Sequence, residues 1–209
     1  MLSFFAAKGG AGCSVVAAAV ALLSSHRTET LLVDLQGDQP DLLGVASDGP
    51  GLGEWFGAQH PLPDALRRIE VPVTQRLSLL PVGAGRVVPS PDQARLLAAM
   101  LAAEGRQVVV DVGAPSQPLI AVLAGSEKAV LVTRACYLAL LAASRGPDPD
   151  TIVLIAEPGR ALQPADVELS VGAPIGPVIR WDPAVARAVD AGLITSRLPR
   201  MLRHLGELL

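Results

Sequence analysis

Ala7-Lys8-Gly9-Gly10-Ala11-Gly12-Cys13-Ser14 lies between two apolar runs, Leu2 to Ala6 and Val15 to Leu23, and the reading of this stretch decides the fold. Glycines let a backbone wrap close to an anion with several N–H groups pointing inward, and a following helix adds its positive N-terminal end. The stretch therefore predicts a strand, then a phosphate-binding turn made by Gly9, Gly10, Ala11, Gly12, Cys13 and Ser14, then a helix. Ser14 stands where a magnesium-ligating hydroxyl belongs. A standard phosphate loop ends in Gly-Lys-Ser or Gly-Lys-Thr, and here Cys13 takes the lysine position. The same residues also describe a glycine-rich strand-to-helix turn that holds no ligand, so the remainder of the chain has to decide.

The 209 residues are enough for one α/β domain with a sizeable core. Half of them are apolar but only 3% are aromatic, so the core has to be built from Ala, Val, Leu and Ile, which suits helices packed on a parallel sheet. A net charge of −3 gives no overall field for nucleic acid or anionic lipid, and no sequence-specific nucleic acid binding is expected. The two cysteines, Cys13 and Cys136, have neither metal-ligand nor disulfide spacing, which points to a reducing cytoplasm. Met1 to Ser25 is apolar enough to suggest a signal peptide, but Lys8 and three glycines interrupt it and a positive n-region is missing. Val15 to Leu23 falls far short of the ~20 residues of a membrane span.

After the loop, Ser14 to His26 reads as a helix and Thr30 to Asp34 as a short buried strand, a βαβ unit that implies a parallel neighbour. Leu35 to Pro63 is rich in Gly, Asp and Pro, with helical pieces at Asp41 to Ala46 and Gly53 to Ala58. It reads as a mobile, switch-like region above the sheet. A helical turn at Asp64 to Ile69 and a strand at Arg76 to Val82 follow. Ser90 to Glu104 is a helix opened by Ser-Pro-Asp. Further strands are expected at Gln107 to Asp111, Lys128 to Thr133, Thr151 to Ala156 and Ile175 to Arg180. Helices are expected at Gln117 to Leu123, Tyr137 to Ser144, Pro164 to Ser170, Asp182 to Gly192 and Pro199 to Leu209. This alternation, without a repeat or a low-complexity linker, predicts a single domain over residues 1–209: α/β, one doubly wound and mostly parallel sheet with helices on both faces. Ligands of such sheets bind beyond the carboxyl ends of the strands. Lys8 to Ser14, Asp34 to Asp38, Asp111 to Gly113 and Thr133 to Arg134 all follow strand ends and should share one crevice.

Lys8 is the second unusual residue, because arginine supplies nearly every cation and Lys128 is the only other lysine. Lys-Gly-Gly-x-Gly-x-Ser, from Lys8 to Ser14, resembles the deviant Walker A loop of the MinD/ParA family of P-loop ATPases. The resemblance implies that Lys8 reaches the phosphates across an ATP-sandwiched homodimer, and the departure at Cys13 makes the chain a degenerate member. A strand-terminal Asp111 reads either as a carboxylate that holds magnesium through its water shell or as a cap on the turn at Gly113. Val110 to Pro115, Val-Asp-x-Gly-x-Pro, is similar to the start of the family's switch II and favours magnesium, with Ser14 as the other metal residue. The family's Asp-x-Asp after the second strand is matched by Asp34, but its second position is Gln36. A glutamine orients water in other phosphate-loop hydrolases, and Asp38 is close by. Lys8, Asp34, Gln36 and Asp38 are thus the catalytic candidates.

Ala129 to Ala143 resembles the segment after the family's central strand. The run from Arg180, Trp181 and Asp182 towards Gly192 resembles its base-proximal loop and helix, which makes Arg180 and Asp182 nucleotide-binding candidates. The family often places an asparagine near the base. This chain has none, and Glu157-Pro158 occupies that neighbourhood.

Two functions compete. One is a dimerising, nucleotide-dependent positioning or assembly factor that binds ATP or ADP with Mg2+ weakly and hydrolyses it slowly or not at all. The other is a pseudo-ATPase scaffold, for example in pilus or secretion assembly, that no longer binds nucleotide. A third class, a cysteine enzyme built on Cys13 at a helix N-terminus, lacks a histidine nearby in sequence. The C-terminal run Pro199 to Leu209 places Met201, Leu202, Leu205, Leu208 and Leu209 at helical spacing. Some family members carry a membrane anchor there, but this run is short, contains Gly206 and Glu207 and lacks aromatic anchors. Docking on the core is the reading favoured over membrane contact.

Overall fold

A computed structural model of the chain describes residues 1–46, 48–58, 62–84 and 88–209. Parts of the expected switch-like segment, residues 47 and 59–61, lie outside the described residues. The strands are β1 (Leu2–Phe5), β2 (Thr30–Asp34), β3 (Val71–Pro72), β4 (Leu77–Leu80), β5 (Gln107–Gly113), β6 (Lys128–Arg134), β7 (Thr151–Ala156) and β8 (Ile175–Arg180). They form one sheet in the order β3-β4-β2-β5-β1-β6-β7-β8. All neighbours are parallel except the short edge strand β3, which runs antiparallel to β4. The helices are α1 (Cys13–Ser25), α2 (Gln39–Leu43), α3 (Leu52–Gly57), α4 (Pro63–Arg68), α5 (Pro91–Ala102), α6 (Ile120–Ala124), α7 (Tyr137–Ala143), α8 (Pro164–Val171) and α9 (Pro183–Asp190), with 3-10 segments at Gln117–Leu119 and Arg200–Leu208. The expected doubly wound architecture is therefore present.

Strands buried on both faces need apolar residues at every position, and the two-residue repeat then divides them between two cores. In β5, Val109 joins one core, while Val108, Val110 and Val112 join the other. The first core is closed by α1, by one face of α9 and by the C-terminal 3-10 helix. The second is closed by Trp55 and Phe56 of α3, Leu66 of α4, Leu97 and Leu101 of α5, Val122 of α6, Leu140 of α7 and Val167 of α8. α1 is apolar nearly all round because it is enclosed by the sheet on one side and the C-terminal segment on the other. Its alanines let those layers approach closely.

Ser90 opens α5 as the sequence predicts. Its hydroxyl accepts from Gln93 N at 3.3 Å, and Gln93 Oε1 accepts from Ser90 N at 2.8 Å, a reciprocal cap. The C-terminal run differs from expectation in geometry. Arg200–Leu208 is a 3-10 helix, so residues three apart share a face. Leu202, Leu205 and Leu208 are 2%, 0% and 7% exposed, packed against α1 and β8. Leu209 falls off that face and is 46% exposed. Core docking holds and the α-helical spacing does not: the three-residue repeat of the 3-10 helix sets Leu202, Leu205 and Leu208 in one buried stripe. No helix among the described residues is long and apolar enough to cross a membrane.

Candidate functional site

Because β1, β2, β5 and β6 are parallel, their carboxyl ends meet at one edge of the sheet. The strand order reverses about β1, with β2 and β4 on one side and β6, β7 and β8 on the other. This is the switch point at which doubly wound sheets bind ligands. The loop from β1 to α1 lies there, and strand register sets Asp34 beside Asp111, which in turn pairs with Phe4. Arg134 ends β6 on the opposite flank.

In the loop, Gly10 and Gly12 have φ of +79° and +91°, a left-handed conformation that requires glycine. A Cβ built at Gly9 or Gly12 would meet nothing within 4 Å, so the backbone there has open space beside it. Gly12 begins α1, whose first turn has no side-chain cap and no acidic residue. Lys8, Gly9, Gly10 and Gly12 are exposed, while Ala11 and Cys13 are buried. The Cys13 thiol donates to Asp111 Oδ1 at 3.6 Å. Burial, then the Asp111 carboxylate, pushes its pKa well above the usual thiol range. It is a neutral donor, the opposite of what a nucleophilic cysteine needs.

The carboxylates differ in what they hold. Asp34 is fully buried, and its oxygens accept from three backbone amides: Gln36 N at 2.9 Å and Gly37 N at 2.7 Å on Oδ1, and Gln39 N at 3.1 Å on Oδ2. Burial nevertheless outweighs these amides and raises its pKa to about 6. It fastens the turn into α2. Gln36 Nε2 donates to Val112 O at 2.7 Å, and its side chain lies over Gly113, where a Cβ would come within 2.2 Å of it. Gly113, at φ +60°, thus lets Gln36 bridge the ends of β2 and β5. Asp38 is exposed and accepts from the Ser14 hydroxyl at 3.3 Å.

Asp111 is fully buried and accepts from Gln39 Nε2 at 2.7 Å. Burial raises its pKa, while hydrogen bonds from Gln39, Ser14 and Cys13 act in the other direction. Gln39 itself is fully buried and also donates to Ser14 O at 3.0 Å. Its Oε1 has no hydrogen-bond partner among the described residues. The sequence offered no signal for Gln39, because its role depends on contacts with Ser14 and Asp111, both distant along the chain.

Two clefts flank the loop. One, of ≈ 430 Å3, is lined by Gly9 to Val15 with Gln36, Asp38 and Asp41, and no lysine or arginine among the described residues lines it. The other, of ≈ 280 Å3, is lined by Gly10 to Gly12, Arg134, Glu157, Arg180, Trp181 and Asp182. Asp182 Oδ1 accepts from Ala184 N at 2.8 Å and caps α9, while Val189 of that helix lines both clefts. Lys8 lines neither. A larger groove of ≈ 770 Å3, beside Ser25, His26, Arg76 and Arg197, lies at the amino ends of the strands, away from the switch point. Size alone does not make it the better candidate, because the glycine loop and the carboxylates are at the other edge.

No family model matches the chain, and no curated protein matches it by sequence. Solved structures do match. A ParA family ATPase from Chlorobium tepidum superposes with a TM-score of 0.79 at 21% identity, over 98% of this chain and 95% of that one. The MinD of Aquifex aeolicus, in its complex with MinC, gives 0.78 at 16% identity over 99% and 94%. The Pyrococcus horikoshii septum site-determining protein MinD, complexed with Mg-ADP, gives 0.77 at 19% identity over 98% and 93%. The chain has the MinD/ParA fold. Within that MinD/ParA fold the glycine loop, Asp34, Asp111 and the turn after β8 come together at one edge of the sheet.

Proposed function

We propose that this chain binds ATP or ADP with magnesium at the Gly9–Ser14 loop and serves as a dimerising positioning or assembly factor with weak or absent hydrolysis. The observation that carries this reading is the open, left-handed glycine loop at the N-terminus of α1, set at the switch point beside Ser14 and Asp111. The Mg-ADP named with the Pyrococcus MinD supports it, as does the MinC complex of the Aquifex MinD for a protein partner.

The residues present fit the group. The backbone of Gly9 to Ser14 would take the phosphates, the Arg180, Trp181 and Asp182 end of the ≈ 280 Å3 cleft would take the base side, and Ser14 and Asp111 offer the hard oxygen atoms that magnesium prefers. Gln39 Oε1, buried beside Asp111 and without a hydrogen-bond partner among the described residues, would be a further acceptor for a metal-bound water. Bound magnesium would neutralise phosphate charge at the loop. The chain's own residues position and shield. Asp34 fixes the turn that carries Gln36 and Asp38, and α9 covers the loop through Val189. With its amide donating to Val112 O, Gln36 has less freedom to orient a water, which agrees with slow turnover.

The scaffold reading has one observation in its favour: the Cys13 thiol and the Ser14 hydroxyl are already engaged with Asp111 and Asp38. Titration of the chain with ATP and ADP, with and without magnesium, separates the two. Binding should be detectable and strengthened about ten- to hundredfold by Cys13→Lys, the equivalent of ~1.5–3 kcal/mol for one charge-assisted phosphate contact. Absence of binding in both proteins would overturn the nucleotide reading and leave the scaffold.

A further inference from the structure

A phosphate loop without its lysine needs its positive charge from elsewhere, and one guanidinium already touches the loop. Arg134 Nη2 donates to Gly10 O at 2.5 Å, from the end of the strand adjacent to β1. Its Nη1 donates to Glu157 Oε1 at 2.7 Å, and it lines the ≈ 280 Å3 cleft together with Gly10, Ala11 and Gly12. A Cβ at Gly10 would lie only 3.3 Å from Arg134 Nη2, so glycine there also makes room for the guanidinium. The other cations are placed differently. Lys8 lines neither cleft, and Arg180 lines the same cleft without a hydrogen bond to the loop among the described residues.

We propose that Arg134 is the phosphate-binding cation of this loop, supplying from β6 the charge that Cys13 does not. The proposal rests on the nucleotide-binding reading above. A guanidinium fork matches a phosphate as well as it matches a carboxylate, and five N–H donors leave capacity beyond the bond to Gly10. Glu157 pairs with Arg134 and neutralises it. Glu157 also pairs with Arg160, three residues on, so it remains paired when Arg134 turns to a phosphate. The Arg134 guanidinium, before that of Arg160, holds the Glu157 carboxyl below the usual range, which keeps this competitor charged. Glu157 is thus the residue a di- or triphosphate displaces from Arg134.

The test titrates the full chain with Mg-ADP, Mg-ATP and tripolyphosphate, alongside thermal melts without ligand. Arg134→Gln should weaken all three ligands about tenfold or more while the melting midpoint stays put, and Arg134→Lys should fall between. Adding Cys13→Lys to Arg134→Gln should restore affinity, and in the Cys13→Lys background the loss caused by Arg134→Gln should shrink. Glu157→Gln, which removes the competitor and keeps the cation, should tighten tripolyphosphate binding several-fold. A merely structural Arg134 predicts weakening there instead, and that readout decides if Arg134→Gln fails to fold. Wild-type binding left unchanged by Arg134→Gln overturns the proposal and spares the nucleotide reading. No binding by wild type or Cys13→Lys removes both.

Discussion

Cys13 looks at first like a lost function, yet its surroundings give the thiol a place of its own. It is 6% exposed, sits beside Asp111 and has a pKa pushed up by burial and by that carboxylate. A raised thiol pKa means that the reactive thiolate is scarce at neutral pH and that reagent access is closed as well. Cys136, at the start of α7, is only half-buried and open to reagent. A disulfide reagent at pH 8 should therefore modify one thiol per native chain, Cys136, and two after denaturation. Rapid modification of Cys13 in the native protein would contradict the buried, neutral thiol. That the glycine loop, Asp34 and Asp111 would meet at one edge of the sheet was legible from strand ends, but the place of Gln39 beside them was not, nor was what each one touches. Asp34 and Gln36 spend their polar atoms largely on backbone groups, and a sequence gives no view of such partners.

At the level of elements, the sequence is most readable where a whole run has one environment. The continuous apolar strands β2, β5 and β6 and the capped helix α5 fall where their patterns place them, within a residue or two at most ends. The antiparallel edge strand β3 has only two residues and no pattern to read. The 3-10 geometry of Arg200–Leu208 escaped because leucines at 202, 205 and 208 satisfy both a three-residue and a 3.6-residue repeat. Burial distinguishes them. Leu205 is fully enclosed between α1 and β8, so Leu205→Ala should destabilise the fold by about 2–5 kcal/mol in chemical denaturation. Removing residues 199–209 should lower the melting temperature by several degrees and leave liposome sedimentation at background. A truncated chain that melts like the parent would mean that the segment is not part of the core.

For the molecule as a whole, the question is how many copies act together. Lys8 is exposed, lines neither cleft flanking its own loop and forms no ion pair among the described residues, although it is one of only two lysines in the chain. A cation that does not line its own site can serve the site of a second copy placed face to face, and the resemblance at Lys8 to Ser14 implies that use. Tyr137 and Leu138, 71% and 59% exposed at the start of α7, follow the carboxyl end of β6 and add apolar surface near the same edge. We therefore expect nucleotide binding to a single chain to survive Lys8→Ala within about twofold, because a surface charge outside the cleft contributes little across solvent. ATP-dependent dimerisation should instead be abolished, with the variant sedimenting as a monomer at concentrations where the parent shifts to a dimer with ATP but not with ADP. A Lys8→Ala chain that dimerises as readily as its parent would deny Lys8 a role between subunits. A variant that loses nucleotide binding as a monomer would place the lysine in its own site.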